Sequence, residues 1–171
     1  GYADYIPVFL NETARLYRDN SIKCNVALIQ VTPPDEFGSV SMRPSVDATL
    51  AAVENADYTI AVINKYVPRT FGDGLIHMSN IDIFVEKDEP LETAAPGQPS
   101  EIEKAIGRHC AELIEDGACL QMGIGSIPNA TLSCLTNHKD LGVHTEMFSD
   151  GILDLVERGI ITGANKALDK Y

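Results

Sequence analysis

The chain alternates between short, almost unbroken apolar runs and segments in which apolar residues recur every three or four positions. Runs of the first kind predict strands at residues 4–10, 24–31 and 58–63. The second pattern predicts helices at residues 12–19 and 46–55. Because the run at 24–31 is nearly continuous, we expect a strand whose two faces are both covered.

A segment poor in apolar residues divides the chain. Residues 88–100 hold three of the nine prolines, and this composition predicts a linker. Beyond it, Ser100 and Glu103 have the spacing of a capping box, which predicts a helix over residues 101–115. Gly117 is expected to end this helix. The apolar residues expected to be buried along it are Ile102, Ala105, Ile106, Cys110, Leu113 and Ile114.

The last third of the chain contains two strand–turn–helix units. In the first, A-C-L-Q-M-G-I-G precedes S-I-P-N-A-T-L-S-C-L; in the second, L-G-V-H-T-E-M-F precedes S-D-G-I-L-D-L-V-E-R-G. Strands that alternate with helices indicate a parallel sheet with right-handed crossovers. The predicted fold class is therefore α/β, with parallel sheets.

The first of these units turns through G-I-G-S-I-P at residues 123–128. Two glycines allow the backbone to approach a ligand closely and to adopt positive φ, and Pro128 suits the first turn of the helix that follows. Free N–H groups at such a helix start can hold an anion or a developing oxyanion. The alternative is a tight turn in which glycine only relieves crowding, and the motif alone leaves both interpretations open.

The second unit places an acidic residue, Glu146, at the end of its strand, where open α/β sheets collect their chemistry. It is a candidate nucleophile, general base, ribose ligand or helix cap. An acidic residue about 20 residues after the glycines is also a feature of dinucleotide-binding units. Pro128 stands where that fingerprint requires its third glycine, which weakens the ribose alternative relative to a catalytic carboxylate.

Other polar residues near these motifs carry simpler expectations. Ser149 and Asp150 are expected to cap the following helix. Arg69 pairs either with an anion or with a surface carboxylate, and Asp35 is expected to form a turn. Core positions are expected for Met122 and Met147.

The formal net charge of −12 argues against nucleic acid as a partner, because phosphates would be repelled. It leaves room for a small anionic ligand that is held by backbone N–H groups. No apolar run approaches the roughly 20 residues of a membrane helix, so no membrane association is expected.

The cysteines and histidines show no metal-ligand spacing, and we expect no metal site. No two cysteines form a C-x-x-C pair. We expect buried free thiols in a reducing compartment, and hence a cytoplasmic protein. The four cysteines are Cys24, Cys110, Cys119 and Cys134.

Seven motifs together resemble the acetyl-CoA hydrolase/transferase family, and most closely its 4-hydroxybutyrate and butyrate:acetate CoA-transferases. The two most specific are L-Q-M-G-I-G-S-I-P-N-A at 120–130 and H-T-E-M-F-S-D-G at 144–151. The others are A-D-Y-I-P at 3–7, V-T-P-P-D-E-F-G at 31–38, S-V-D-A-T at 45–49, A-A-V-E-N-A at 51–56 and V-P-R-T-F-G-D at 67–73.

The resemblance implies two α/β domains joined by a linker, in a chain more than twice this length. Residues 1–95 would be the latter part of the N-terminal CoA-transferase domain. Residues 96–171 would be the linker and the first part of the C-terminal domain, which carries the glycine loop and the nucleophile. We therefore expect an internal fragment that is inactive when tested alone.

The resemblance also implies roles for particular residues. Glu146 corresponds to the family's nucleophilic glutamate. Phe71 departs from the pattern, because the family usually has histidine at this place in the P-R-T-x-G-D loop. The residues implied to contact coenzyme A are Gly123, Ile124, Gly125, Ser126 and Ile127.

The implied reaction is transfer of coenzyme A between an acyl-CoA and a short-chain carboxylate such as acetate, butyrate or 4-hydroxybutyrate. A covalent glutamyl-CoA thioester would form on the way, with coenzyme A as a substrate and no permanently bound cofactor. A homodimer is implied for the full-length protein. The alternatives are an acyl-CoA hydrolase and, in another class, a non-catalytic nucleotide-binding module.

Overall fold

A computed structural model describes residues 4–93 and 97–168. The chain divides into two compact units, Gly1–Thr93 and Ala94–Tyr171. Both combine helices with parallel strand pairs, so the predicted α/β class is confirmed. None of the helices in the described ranges is long and apolar enough to cross a membrane.

The first unit is built on a three-stranded parallel sheet. Its elements in chain order are α1 (Leu10–Arg18), β1 (Val26–Val31), β2 (Ser39–Ser41), α2 (Thr49–Asn55), β3 (Tyr58–Ile63), β4 (Leu75–His77) and β5 (Ile83–Glu86). The parallel sheet has the order β1-β3-β5, and β2 pairs with β4 in a separate antiparallel ladder. The buried core consists of Ala27, Ile29, Val31, Val40, Met42, Val53, Ala61, Ile76 and Ile81.

The prediction that the strand within residues 24–31 is covered on both faces is wrong for the described residues. Exposure alternates along β1, and Leu28 is 76% exposed while Ile29 is buried. The apolar positions that share the open face include Ile83 and Val85 on β5. An apolar run shows that both faces tolerate burial, but it does not supply the element that would cover the second face.

The N-terminal part of this unit differs from its prediction. Residues 4–9 form no strand, and α1 begins at Leu10, so the apolar run at 4–10 ends as the first turn of a helix. Pro7 lacks the N–H that a ladder needs, which is one reason this run does not pair. The strand predicted at 58–63 is confirmed as β3, and the two predicted helices are confirmed as α1 and α2.

The second unit contains the two predicted strand–turn–helix segments, although both strands are only two residues long. Its elements are α3 (Glu101–Glu112), β6 (Cys119–Leu120), α4 (Ser126–Cys134), β7 (Gly142–Val143) and α5 (Gly151–Glu157). β6 and β7 pair in parallel, as predicted. The core consists of Ala111, Met122, Leu132, Leu135, Leu141, Ile152, Leu155, Ile160 and Ile161.

The capping box of α3 is confirmed, but the predicted buried face of the helix is wrong. Ile102 is 74% exposed and Leu113 is 84% exposed, whereas the buried residues of α3 are Gly107 and Ala111. The reason is a close crossing of two helices. A Cβ atom on Gly107 would lie 2.7 Å from the carbonyl carbon of Ala130 on α4, so only small residues fit on this face.

α3 ends earlier than predicted. Its C-cap is Leu113, and the Nε2 atom of His138 lies 3.2 Å and 3.1 Å from the carbonyl oxygens of Ala111 and Ile114. Gly117 instead forms a later turn, with φ of +77°, in which its N–H donates to the Lys139 carbonyl oxygen at 2.8 Å.

Two further expectations concern the cysteines and the linker. The cysteines are free, as predicted, but Cys119 is exposed and the other three are only half-buried. The described parts of the predicted linker, residues 88–93 and 97–100, form no helix or strand, while residues 94–96 lie outside the described residues.

Candidate active site

The glycine loop, residues 123–127, joins β6 to α4. Gly125 is the N-cap residue of α4 and has φ of +116°, a conformation that side chains of other residues strain to adopt. Ile124 and Gly125 are exposed. Among the described residues, the N–H groups of Gly123, Ile124 and Gly125 donate to no protein acceptor, so they remain available to a ligand.

Glu146 follows β7, which ends at Val143, and lies in an exposed bend rather than within the strand. The last backbone hydrogen bond of the parallel pair runs from the His144 N–H to the Leu120 carbonyl oxygen at 2.9 Å. The carboxylate therefore stands just past the carboxyl end of a parallel strand pair.

The hydroxyl of Thr145 joins these two segments. Its Oγ1 atom donates to the carbonyl oxygen of Met122 at 2.8 Å and accepts from the N–H of the same residue at 3.1 Å. Met122 is 7% exposed, which confirms its predicted core position, and without these bonds its backbone groups would be buried unpaired. The residue before Glu146 is thus bonded to the residue before the glycine loop.

A second side chain holds the other end of the loop. The carboxylate of Glu103 accepts from the hydroxyl of Ser126, the first residue of α4. It also accepts from the Ser100 N–H at 2.6 Å and the Ser100 hydroxyl at 2.8 Å. The Ser126 hydroxyl, followed by the Ser100 donors, lowers the pKa of the Glu103 carboxyl from its usual value. The Ser126 hydroxyl is therefore already bonded to Glu103, so Ser126 can bind a ligand at the loop only through its N–H.

Other residues near Glu146 behave differently from their predictions. Ser149 and Asp150 do not cap α5 through their side chains. Asp150 already has helical dihedral angles, φ −60° and ψ −26°, and the carbonyl oxygens of the two residues accept from Ile152 and Leu153 at 3.0 Å instead. Met147 is exposed rather than in the core.

Sequence reasoning did not identify Thr145 or the second role of Glu103. The capping box marked Glu103 as a helix-start residue, but its bond to Ser126 spans 23 positions in sequence. Thr145 lies within the motif at 144–151, but the sequence indicated no role for it. Its bond to Met122, also across 23 positions, follows from the register of β6 and β7.

In the first unit, Arg69 forms an ion pair. Its guanidinium contacts Asp35 Oδ2 at 2.5 Å and donates to the Ser39 carbonyl oxygen at 3.1 Å. Asp35 forms the predicted turn by accepting from the N–H groups of Phe37 and Ser39. The Ser39 N–H, with smaller contributions from Phe37 and Arg69, lowers the pKa of Asp35. The segments 31–38 and 67–73 are thereby joined, and Phe71 in the second segment is 80% exposed.

A cleft of about 790 Å³ opens where β3 and β5 end in this unit. Its two lysines are ion-paired, Lys65 with Asp88 and Lys87 with Glu89, both at 2.6 Å. Within the described ranges, no group of three or more His, Cys, Asp or Glu side chains is placed to hold a metal ion.

Comparison with known proteins finds relatives over almost the whole chain. The chain is 52% identical over 169 residues to the succinyl-CoA:acetate/propanoyl-CoA:succinate CoA transferase of Fasciola hepatica, covering 98% of this chain and 35% of that protein. It is 49% identical over 168 residues to the 4-hydroxybutyrate coenzyme A transferase of Clostridium kluyveri, covering 98% of this chain and 39% of that protein.

A solved structure has the same fold over most of this chain. The crystal structure of 4-hydroxybutyrate CoA-transferase from Porphyromonas gingivalis superposes with a TM-score of 0.89 at 44% identity, covering 93% of this chain and 41% of that chain. The chain therefore spans between 35% and 41% of the length of these three proteins. Residues 1–94 match the model of the acetyl-CoA hydrolase/transferase N-terminal domain. The resemblance that the motifs indicated is confirmed, and the chain belongs to the acetyl-CoA hydrolase/transferase family.

Proposed function

We propose that the whole protein transfers coenzyme A between an acyl-CoA and a short-chain carboxylate, with Glu146 as the nucleophile. The observation that carries this proposal is the pair of hydrogen bonds between Thr145 and Met122, at 2.8 Å and 3.1 Å. These bonds join the residue before the exposed Glu146 carboxylate to the residue before the glycine loop, whose N–H groups have no acceptor among the described residues. The carboxylate and the loop therefore both follow the same end of the β6–β7 pair. A carboxylate nucleophile beside oxyanion donors is the arrangement that acyl exchange requires.

The reaction then proceeds through four balanced steps. The Glu146 carboxylate attacks the thioester carbonyl, which forms a mixed anhydride and breaks the bond to sulfur, releasing CoA thiolate. The thiolate attacks the glutamyl carbonyl, which gives a glutamyl-CoA thioester and frees the first carboxylate. An acceptor carboxylate attacks this thioester to give a new anhydride and thiolate. The thiolate attacks the acyl carbonyl, which forms the new acyl-CoA and regenerates Glu146.

Each attack places negative charge on a carbonyl oxygen, and the glycine loop is our candidate for stabilising it. The N–H groups of Gly123, Ile124 and Gly125 are the proposed donors, because they have no protein acceptor in the described part of the chain. The loss of one such donor in other enzymes costs about 3–4 kcal/mol of transition-state stabilisation. Ser126 and Ile127 complete the proposed coenzyme A contact at the first turn of α4.

The test is to trap the proposed intermediate. The whole protein is incubated with acyl-CoA and then treated with borohydride, which reduces a glutamyl thioester to an alcohol that peptide mass spectrometry locates. We expect the modification at residue 146. We also expect Glu146→Ala to lose at least about 10³-fold in kcat.

Glu157→Ala is the matched control, because Glu157 is another exposed glutamate of the same unit, at the end of α5. It should retain normal turnover. Unmodified Glu146 in turning-over enzyme, or normal transfer by Glu146→Ala, would refute the covalent mechanism.

Hydrolysis of the same glutamyl-CoA thioester is the second candidate. The exposure of Glu146 favours it, because water can reach the carboxylate in this structure. Release of CoA from acyl-CoA is measured with and without a carboxylate acceptor. Release that depends on the acceptor supports transfer, whereas equal release without it identifies a hydrolase.

We further propose that the two units belong to different domains. Residues 1–95 would be the latter part of the N-terminal CoA-transferase domain, and residues 96–171 the linker and the start of the C-terminal one. A homodimer is proposed for the whole protein, and sedimentation equilibrium would test it.

A further inference from the structure

We propose that Thr145 and Glu103 are positioning residues that hold the glycine loop at its two ends and so fix its N–H groups relative to Glu146. The inference rests on the proposed function, since it assigns to two further residues the geometry that the nucleophile needs. Thr145 holds Met122, directly before the loop, and Glu103 holds Ser126, near its end. Neither side chain needs to touch the substrate.

The first anchor is a single hydroxyl that makes two bonds to one residue. Thr145 Oγ1 both donates to and accepts from the backbone of Met122. A hydroxyl has one proton and two lone pairs, so this pairing is within its capacity and fixes its rotation. Because Thr145 is adjacent to Glu146, any displacement of Met122 relative to β7 changes the distance from the carboxylate to the loop.

The second anchor ties the loop to the start of another helix. Glu103 is the third residue of α3, and its carboxylate gathers the Ser100 donors and the Ser126 hydroxyl. Three donors on one carboxylate stabilise its ionised form and limit its rotation. The start of α4 is thereby fixed against the start of α3.

Only Gly123, Ile124 and Gly125 lie between the two anchors. These three residues are exposed, and their N–H groups make no protein hydrogen bond in the described part of the chain. A segment so rich in glycine has many accessible conformations, and its orientation must come from its ends. Fixed donors stabilise an oxyanion without reorganising during the reaction, which gives the anchors their catalytic effect.

The decisive variant removes the hydroxyl of Thr145 and keeps the shape of its side chain. Thr145→Val should lower kcat by about 10- to 100-fold and change KM by less than about threefold, because misplaced donors weaken the transition state more than the ground state. Thr145→Ser restores the hydroxyl and should restore kcat to within about threefold of the wild type.

Thr162→Val is the matched control. The Thr162 hydroxyl also makes two hydrogen bonds, to Asp140 at 3.2 Å and from the Ala164 N–H at 3.3 Å, at an exposed position of the same unit. The same chemical change there should leave kcat unaltered. A general loss of stability would lower activity in both valine variants, and a positioning role lowers it only in Thr145→Val.

A second measurement does not depend on catalysis. Backbone amide order parameters measured on the whole protein should fall at residues 123–125 in Thr145→Val and in Glu103→Gln, while those outside residues 122–126 and 145–147 stay unchanged. Wild-type order parameters at the loop in both variants would overturn the proposal.

The outcomes also separate this inference from the proposed function. If Glu146→Ala abolishes transfer and Thr145→Val retains wild-type kcat, the positioning role is wrong and the nucleophile stands. If Glu146→Ala retains transfer, the proposed function is wrong, and lower order parameters at the loop in the anchor variants still decide whether Thr145 and Glu103 hold the loop.

Discussion

Gly107 lies where α3 crosses α4, and its replacement by alanine tests the closeness of that crossing. A Cβ atom there would meet the carbonyl carbon of Ala130 at 2.7 Å, the carbonyl oxygen of Ala130 at 2.8 Å and the N–H nitrogen of Thr131 at 2.9 Å. All three are backbone atoms, so no side-chain rotation relieves the contact. Ordinary van der Waals contact begins at 3.4 Å, which requires the helices to separate by about 0.7 Å, the difference between 3.4 and 2.7.

Two effects of opposite sign determine the result. Alanine is favoured over glycine inside a helix by about 1 kcal/mol, which would stabilise α3. Overpacking costs up to about 3 kcal/mol, and the upper end applies because backbone atoms cannot give way. The expected net effect is a loss of about 2 kcal/mol, which lowers the unfolding midpoint of a domain of about 150–250 residues by roughly 4–8 °C.

Differential scanning calorimetry of the whole protein measures this shift. Gly97→Ala is the control, because among the described residues other than its chain neighbours no atom lies within 4 Å of its Cβ position. It should change the midpoint little, or raise it slightly through the unfolded state. A Gly107→Ala midpoint at or above that of the wild type would mean that helix propensity dominates and that the crossing is looser than we infer.

Three further predictions concern the site. Gly125→Ala should cost about 1–3 kcal/mol in folding free energy and lower kcat, because its φ of +116° is strained for alanine even though no atom lies within 4 Å; wild-type stability and kcat would contradict this. Ser149→Ala should change the unfolding free energy by less than about 0.5 kcal/mol, because the buried Ser149 hydroxyl has no partner among the described residues; a larger loss in denaturant titration would reveal an unrecognised bond. The lowered pKa of Glu103 means that its carboxylate stabilises the fold fully above its usual value of 4.5 and loses this effect as the pH falls through the lowered pKa. The stability advantage of the wild type over Glu103→Gln should therefore shrink on acidification below about pH 4.5, and an advantage that stays constant would refute the contact.

The periodicity of α3 predicted its position but not its orientation. The capping box at Ser100 and Glu103 depends on local spacing, so it could be recognised from the sequence. The buried face could not, because the prediction assumed that the largest apolar residues turn inward. A close helix crossing instead selects Gly107 and Ala111, whose small size is informative only once the partner helix is known.

The same distinction applies to the candidate site. Glu146 and the glycine loop are recognisable because each lies in a contiguous motif next to a strand. The contacts between these segments and the rest of the unit are made by two other side chains, Thr145 and Glu103, each bonded to a residue 23 positions away. Such contacts depend on strand register and helix packing. Because β6 and β7 are only two residues long, the sequence pattern is too short to predict their register.

The end of the β6–β7 ladder shows why a side chain rather than the backbone makes the last bond. Successive donors on the β7 side are the N–H groups of Gly142 and His144, which pair with the carbonyl oxygens of Ala118 and Leu120. The next pair in this series would join the Glu146 N–H to the Met122 carbonyl oxygen, and the Thr145 hydroxyl occupies that oxygen instead.

The hydroxyl thus satisfies the buried backbone of Met122 where the ladder ends, and Glu146 lies in the exposed bend that follows. In Thr145→Val the Met122 carbonyl oxygen loses its donor, and we expect the ladder to extend by one bond from the Glu146 N–H to this oxygen. A crystal structure of the variant would show this bond and a straightened residue 146. An unchanged bend there would mean that residues beyond Glu146, rather than Thr145, end the strand.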